Sequence, residues 1–250
     1  MSKKNERIQN IAQQRKTLHK NLSFTASEAY KLLRTNIMFA LPGEGSRCRI
    51  IGVTSSIRGE GKSTTSVNLS YSLAEMGKRV LLIDGDMRLP SIASKMEMTG
   101  SPGLSNILIS PSGDLGLFVK PSGVSENWRI ITAGDLPPNP SELLASKQMQ
   151  IVLKVLSTKF DFIIVDLPPV NIVSDALVLS PLLDGIIVVV RENYTERKEF
   201  RSCIRSLTLA DAKILGIQLN DVKDVHKRYG RYGRYGKYYK YYGENNGMTD

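Results

Sequence analysis

Residues 49–65 read Arg49-Ile50-Ile51-Gly52-Val53-Thr54-Ser55-Ser56-Ile57-Arg58-Gly59-Glu60-Gly61-Lys62-Ser63-Thr64-Thr65. A short β-branched run, Arg49–Thr54, passes into a polar loop with two glycines, and a helical pattern follows over 62–77. A GxxxxGK[ST] loop between a buried strand and a helix is a phosphate-binding arrangement. Ser56 stands at the first glycine position, so the strict pattern fails by one residue. The physics survives. Gly59 and Gly61 let the backbone wrap around phosphate oxygens, and the helix opening near Lys62 aims its free N–H groups at the anion. Lys62 would reach the β- and γ-phosphates and Ser63 would ligate Mg²⁺. Glu60 and Thr64 complete the expected nucleotide-binding stretch.

Working outward, further apolar runs occur at Val80–Ile83, Phe162–Val165, Ile186–Val190 and Ile214–Leu219. Their length and β-branched content suit strands buried on both faces. Helix-like stretches lie at 24–40, 62–77, 141–158 and 195–210, with Ser27 or Thr25 placed to cap the first and 42–45 to end it. This alternation predicts one α/β domain, a mostly parallel sheet flanked by helices on both faces. The Gly/Ser/Pro-rich segment 98–127 is expected to run over the surface, with a short helix near Leu104–Ile109.

Carboxylates follow two of these strands. Val80–Ile83 leads into Asp84-Gly85-Asp86-Met87-Arg88, and Phe162–Val165 into Asp166-Leu167-Pro168-Pro169. Ligands of open parallel sheets bind beyond the carboxyl ends of the strands, so both clusters should stand beside the phosphate loop. Alone, each could cap a helix or sit in a solvated turn. Together with Ser63, the acids Asp84, Asp86 and Asp166 make a magnesium site, because Mg²⁺ takes oxygen ligands and keeps several waters.

The chain has 250 residues, with 34 Lys+Arg against 24 Asp+Glu, a formal charge of +10. Residues 1–20 hold six Lys/Arg and one acid, and 227–250 hold six and two, so the body between them is nearly neutral. Basic ends point to nucleic acid, an acidic membrane surface or an acidic partner, or simply keep the termini solvated. From His226 to Gly247 there is no aliphatic residue, and seven of the ten tyrosines fall within 229–242. Such a segment cannot bury an aliphatic core and is expected to be disordered. The resulting division is a basic arm over 1–24, a domain over 25–224 and a tyrosine-rich tail over 225–250. The two cysteines, Cys48 and Cys203, lack metal-ligand spacing and read as small buried residues of a reducing compartment. No run approaches bilayer-spanning length and no signal-peptide pattern opens the chain, so a cytoplasmic protein is expected.

These motifs resemble those of the bacterial tyrosine kinases of capsule and exopolysaccharide synthesis, P-loop NTPases, in the Gram-positive type whose kinase is a separate cytoplasmic chain. The resemblance rests on Gly59-Glu60-Gly61-Lys62-Ser63-Thr64, on apolar-DxDxR at Asp84, Asp86 and Arg88, and on apolar-DxxP at Asp166 and Pro169. Further matches are Gly103-Leu104-Ser105, 137–144, Ser174-Asp175-Ala176 and the tyrosine-rich tail. The resemblance implies an ATP- and Mg²⁺-dependent protein-tyrosine kinase with Lys62, Asp84 and Asp86 catalytic, Asp84 being the better candidate to orient or deprotonate the acceptor. It implies phosphoacceptors at Tyr229, Tyr232, Tyr235, Tyr238, Tyr239, Tyr241 and Tyr242, and an adenine contact at Asn220. Asn220 can equally be a turn former. Partners implied are a transmembrane activator or polysaccharide co-polymerase that recruits the chain to the inner face of the membrane, a tyrosine phosphatase, and further copies of the chain in a homo-oligomer or ring. The oligomer contact corresponds to Glu28, Lys31 and Arg34, with Lys31 where the family has arginine. Arg58 stands where the family has proline.

Two other readings compete. A positioning ATPase of the ParA/MinD class shares the fold, but such proteins place a signature lysine where this chain has Ile57, and they lack the tail. Nucleic-acid binding through alternating Arg, Tyr and Gly is physically open but leaves the acidic motifs without a role.

Overall fold

The computed structural model describes Leu18 and residues 21–41, 47–110 and 114–222. Seven strands form one sheet: β1 (Arg49–Ser55), β2 (Val80–Asp84), β3 (Lys120–Pro121), β4 (Trp128–Ile131), β5 (Phe162–Asp166), β6 (Gly185–Arg191) and β7 (Ile214–Asn220). Their order is β3-β4-β2-β5-β1-β6-β7. Every pairing is parallel except that of β3 with β4. The five strands expected from apolar runs are all present; four of them are covered on both faces and carry no polar alternation to disguise them, while β7 is a partly exposed edge strand.

Alternate residues of each strand feed two cores. On β5, Phe162 and Ile164 join Ile51, Val53, Leu82 and Val189 on one face, while Ile163 and Val165 join Leu81, Ile83, Ile131 and Val188 on the other. The first face is covered by α1 (Phe24–Ala40) and α2 (Lys62–Glu75). Helix α2 is buried on most of its circumference, and its small residues Ser66, Ser70, Ser72 and Ala74 permit the close approach. Ser66 and Ser70 turn their hydroxyls to the carbonyls of Lys62 and Ser66, at 3.0 and 2.7 Å, so neither of these hydroxyls is stranded. On the other face, α6 (Lys147–Leu156) buries Met149, Val152, Leu153 and Leu156, and α8 (Arg197–Leu209) buries Cys203 and Leu207.

Several local expectations are corrected. Helix α1 is capped by Ser23, whose hydroxyl accepts from Ala26 N at 3.3 Å, rather than by Thr25 or Ser27. The stretch 141–158 divides into α5 (Pro140–Leu144) and α6, because Ser146 accepts from Met149 N at 3.2 Å and starts a new helix. The segment 98–127 does more than cross the surface. Its helix, Leu104–Ile109, sends Leu104, Ile107 and Leu108 into the core, and β3 adds an antiparallel edge to the sheet. Trp128, fully buried on β4, belongs to a strand that the sequence reading lacked. Leu18, inside the expected basic arm, is buried in the core beneath α1.

Both cysteine thiols are free and buried, as expected. Burial pushes Cys48 up to about 12 and Cys203 up to about 11, so both stay protonated and unreactive at neutral pH. Among the described residues no helix is long and apolar enough to cross a membrane. The expected helix stop at 42–45, most of the arm at 1–24, and the tail with its seven tyrosines lie outside the described residues.

Candidate active site

The register of the sheet sets the site. Asp84 on β2 lies opposite Asp166 on β5, which lies opposite Val53 on β1. Beyond Val53 the chain enters the phosphate loop, so three strand ends converge there, as the carboxyl-end rule requires. The loop turns through two left-handed glycines, Gly59 with φ +82° and Gly61 with φ +95°. Gly61 is also the N-cap of α2 and offers no side-chain acceptor, so the first-turn N–H groups remain available to an anion.

Lys62 is wedged between acids. Its Nζ donates to Asp86 Oδ2 at 2.9 Å, stands 3.9 Å from Asp166 Oδ2, and lies 3.4 Å from Ser63 Oγ. Burial alone would lower the lysine's pKa, but the charges of Asp166 and Asp86 outweigh it and hold the ammonium form. Asp84 is fully buried and pushed up to about 8, first by desolvation and then by the charge of Asp166. Asp166 is raised for the same first reason, with Lys62 opposing the shift.

The two members of the DxDxR motif hold different partners. Asp84 accepts from Asp86 N at 3.3 Å, Ser91 N at 3.2 Å and Ile92 N at 3.0 Å, pinning the turn between β2 and the helix Ile92–Lys95. Asp86 accepts from Leu89 N at 3.0 Å and presents its other oxygen to Lys62. Arg88 makes a two-pronged pair with the buried Asp175, at 3.0 and 3.2 Å, and also reaches Ser141 Oγ at 2.9 Å. Ser141 in turn donates to Asp175 at 2.5 Å. This planar fork ties the acidic turn to α5 and to the short helix Asp175–Leu179.

A divalent cation fits the donor set. Asp166 Oδ2 is buried without a hydrogen-bond partner, beside the hydroxyl of Ser63 and the carboxylate of Asp86, all hard oxygen donors. Among the described residues no three His, Cys, Asp or Glu side chains close into a cage of their own. A cation here would therefore draw its remaining ligands from phosphate oxygens and water, as Mg²⁺ does.

The remaining expected residues fall into two groups. Glu60 folds into its own loop: Oε2 accepts from Ile57 N at 2.8 Å and Oε1 from Thr195 Oγ1. It braces the loop with its side chain rather than facing an anion. Asn220 reaches the loop from the end of β7 and donates to the Glu60 carbonyl at 3.0 Å. That contact sets Asn220 beside the phosphate loop. Away from the site, Lys31 pairs with Glu28 at 2.6 Å on α1, while Arg34 donates to Ser72 O at 2.5 Å and ties α1 to α2.

Against known proteins, the AAA domain family matches residues 48–219. The chain is 36% identical over 197 residues to the tyrosine-protein kinase YwqD of Bacillus subtilis, covering 79% of this chain and 81% of that protein. The chain belongs to the bacterial tyrosine kinases. Solved structures agree. The chimerical protein CapA2B2 superposes with a TM-score of 0.73 at 32% identity, covering 78% of this chain and 84% of the chimera. The kinase domain of Escherichia coli tyrosine kinase ETK gives 0.74 at 31%, covering 80% and 77%. Membership in this kinase family, rather than in a positioning-ATPase group, matches the presence of the DxDxR motif and of Ile57 at the signature-lysine position.

Residues that the sequence reading of this kinase missed are Asp175 and Ser141 as anchors for Arg88, and Arg191, Tyr194 and Thr195, which lie against the phosphate loop. Asp175 and Ser141 lay within quoted family motifs, yet nothing in their spacing pairs them with Arg88. Arg191–Thr195 carried no local signal.

The glycine geometry yields a direct test. A Cβ on Gly61 would stand 1.9 Å from Asn220 Nδ2, at a backbone angle that L-residues avoid. Gly61→Ala is expected to cost about 1–2 kcal/mol of stability from the left-handed backbone alone. Displacing Asn220 and the loop should also weaken nucleotide binding by more than about tenfold, the larger effect expected where a backbone cradle is distorted. Thermal melting and titration with a fluorescent nucleotide read the two effects separately.

Proposed function

We propose that this chain transfers the γ-phosphoryl group of MgATP to tyrosines of its own C-terminal cluster, Tyr229, Tyr232, Tyr235, Tyr238, Tyr239, Tyr241 and Tyr242, on a neighbouring copy. The observation that carries the reading is Lys62 held between Asp86 and Asp166 at the mouth of the phosphate loop. Phosphoryl transfer asks mainly for positioning and charge neutralisation. On this reading Lys62 leaves Asp86 for the β- and γ-phosphates, and the α2 N-terminus and loop amides hold the remaining oxygens. Ser63, Asp86 and Asp166 hold Mg²⁺, partly through water, with Asp84 behind them. When bound, the ion neutralises the phosphates. A carboxylate of the Asp84/Asp86 pair takes the proton of the attacking phenol, whose pKa near 10 leaves it protonated at neutral pH.

The setting proposed is regulation of capsular or exopolysaccharide synthesis at the inner face of the membrane. A transmembrane activator recruits and stimulates the chain, a tyrosine phosphatase reverses the modification, and the chains associate through the α1 face bearing Glu28, Lys31 and Arg34. Six Lys/Arg flank the tail tyrosines. Each phosphate adds about −1.5 to −2 charges, so four or five reverse the sign of the segment. That reversal weakens its attraction to an acidic catalytic pocket and loosens the assembly.

Transfer between copies is tested by mixing an isotopically labelled full chain carrying Lys62→Ala with an unlabelled active chain, MgATP and Mg²⁺. Phosphotyrosine on the labelled tail, with a rate rising with total protein concentration, is expected. Self-labelling of the active chain at a concentration-independent rate, with no signal on the labelled chain, would contradict transfer between copies.

A further inference from the structure

The loop between β6 and α8 lies over the phosphate loop and grips three consecutive residues of it. The Tyr194 hydroxyl donates to the Arg58 carbonyl at 3.1 Å, Arg191 Nη1 donates to the Gly59 carbonyl at 3.4 Å, and Thr195 Oγ1 donates to Glu60 Oε1. Thr195 Oγ1 also accepts from Arg191 N at 3.0 Å, which closes the strap on itself. The Arg191 guanidinium stacks 5.1 Å above the Tyr194 ring and pairs with Asp221 at 2.8 Å. The fit around the hydroxyl is tight: a Cβ on Gly59 would stand 3.0 Å from Tyr194 Oη.

Among the described residues there are three tyrosines, and their surroundings differ. Tyr30, on the buried face of α1, is 8% exposed, and Tyr71 is half-buried with its ring 6.3 Å from Trp128. Tyr194 is 47% exposed. The most exposed tyrosine among the described residues of this kinase is therefore the one bonded to the backbone of its phosphate loop.

We propose that Tyr194 is a phosphoacceptor for a second copy of this chain, and that its phosphorylation releases the strap and weakens nucleotide binding. The inference rests on the kinase reading above. In the step, Tyr194 Oη forms a bond to the γ-phosphorus of ATP and the bond from that phosphorus to the β,γ-bridging oxygen breaks. ADP leaves with the electron pair, and the phenolic proton passes to a carboxylate of the donor copy and then to solvent.

The consequences follow from the contacts. The phosphoester has lost the O–H that Arg58 O accepted, and its oxygens, all acceptors, now face a carbonyl. A phosphate has no room against Gly59 at the present separation, so the ring must lift. The dianion draws Arg191 Nη1 away from the Gly59 carbonyl, because a charge-assisted Arg–phosphate bond outcompetes a neutral acceptor. Thr195, the next residue in the chain, then loses its hold on Glu60, whose other oxygen braces Ile57 N. Negative charge beside the loop also opposes the nucleotide's phosphates directly.

The test uses the full chain in three forms: unaltered, with the seven tail tyrosines changed to Phe, and with those seven plus Tyr194→Phe. Each is incubated with MgATP, occupancy at residue 194 is read by peptide mass spectrometry, and affinity for a fluorescent ATP analogue is measured before and after tyrosine-phosphatase treatment. Phosphate at Tyr194 is expected in the first two forms. In the tail-Phe form it should lower affinity at least about tenfold, a loss reversed by the phosphatase and missing from the Tyr194→Phe form. Tail labelling of the unaltered chain with no phosphate at Tyr194 overturns the inference and leaves the kinase reading intact. Phosphate at Tyr194 with affinity unchanged within about twofold overturns the switch. No phosphotyrosine on any part of the unaltered chain removes the kinase reading, and this inference with it.

Discussion

Lys62→Ala is expected to reduce tyrosine phosphorylation by about 10³-fold, the scale lost when a charge-stabilising donor is removed from a transferring group. Nucleotide binding should fall with it, since the same ammonium meets the β- and γ-phosphates. The substitution is not silent for the free protein. The lysine side chain is 13% exposed and lies between Asp86 and Asp166. Its loss leaves those carboxylates facing each other beside Asp84. Asp84, already pushed up to about 8 by burial and by Asp166, and Asp166, raised by burial, can take up protons in response. The fold should therefore persist. Lys62→Met, which keeps the stem and drops the charge, separates the two effects: it should lose the same activity with a smaller change in melting temperature.

The second large effect belongs to Asp86. Asp86→Ala should lower kcat by about 10²-fold or more while changing nucleotide affinity less than about tenfold, because metal placement and hydroxyl activation act chiefly in the transition state. Asp84→Ala should lose comparable activity for a mixed reason. Asp84 holds the amides of Asp86, Ser91 and Ile92, and removing an acceptor from buried N–H groups costs about 1–3 kcal/mol. Steady-state kinetics with thermal melts distinguishes them, since Asp86→Ala leaves the turn anchored through Asp84. Equal losses of binding and rate in Asp86→Ala would make that residue structural.

What could be read from the sequence follows a physical line. Strands β1, β2, β5 and β6 are covered on both sides along most of their length, so their apolar runs are unbroken and announce themselves, and β7, an edge strand with exposed positions, still carries enough aliphatic residues to be read. Strand β4 escapes notice because Trp128–Ile131 is four residues long and interrupted by the half-buried Arg129. Strand β3 has two residues and a proline, below any periodic signal. The break at Ala145–Ser146 was hidden because the apolar spacing of α6 runs on behind it, and only the Ser146 cap marks the new start.

The site divides in the same way. Lys62, Asp84, Asp86 and Asp166 sit at strand and helix ends, where local order predicts convergence, and the parallel register brings them together. The supports do not share that logic. Arg88 finds Asp175 across 87 residues, Tyr194 finds Arg58 across 136, and Asn220 finds Glu60 across 160. No spacing rule encodes such pairs, because they arise from the order of strands in the sheet. Asn220 shows the cost: its place at the end of the last strand was legible to within a residue, but its partner depends on β7 lying two strands from β1.

The central claim is that the γ-phosphoryl group goes to tyrosine rather than to water. The most direct measurement follows that group. The purified full chain is incubated with γ-labelled ATP and Mg²⁺, and label is counted in phosphotyrosine and in inorganic phosphate, with Lys62→Ala run beside it. The account predicts label in phosphotyrosine on the unaltered chain and none on the variant. Label released wholly as inorganic phosphate, with no phosphotyrosine on the chain or on an added tyrosine polymer, would contradict it and leave the site that of an ATPase.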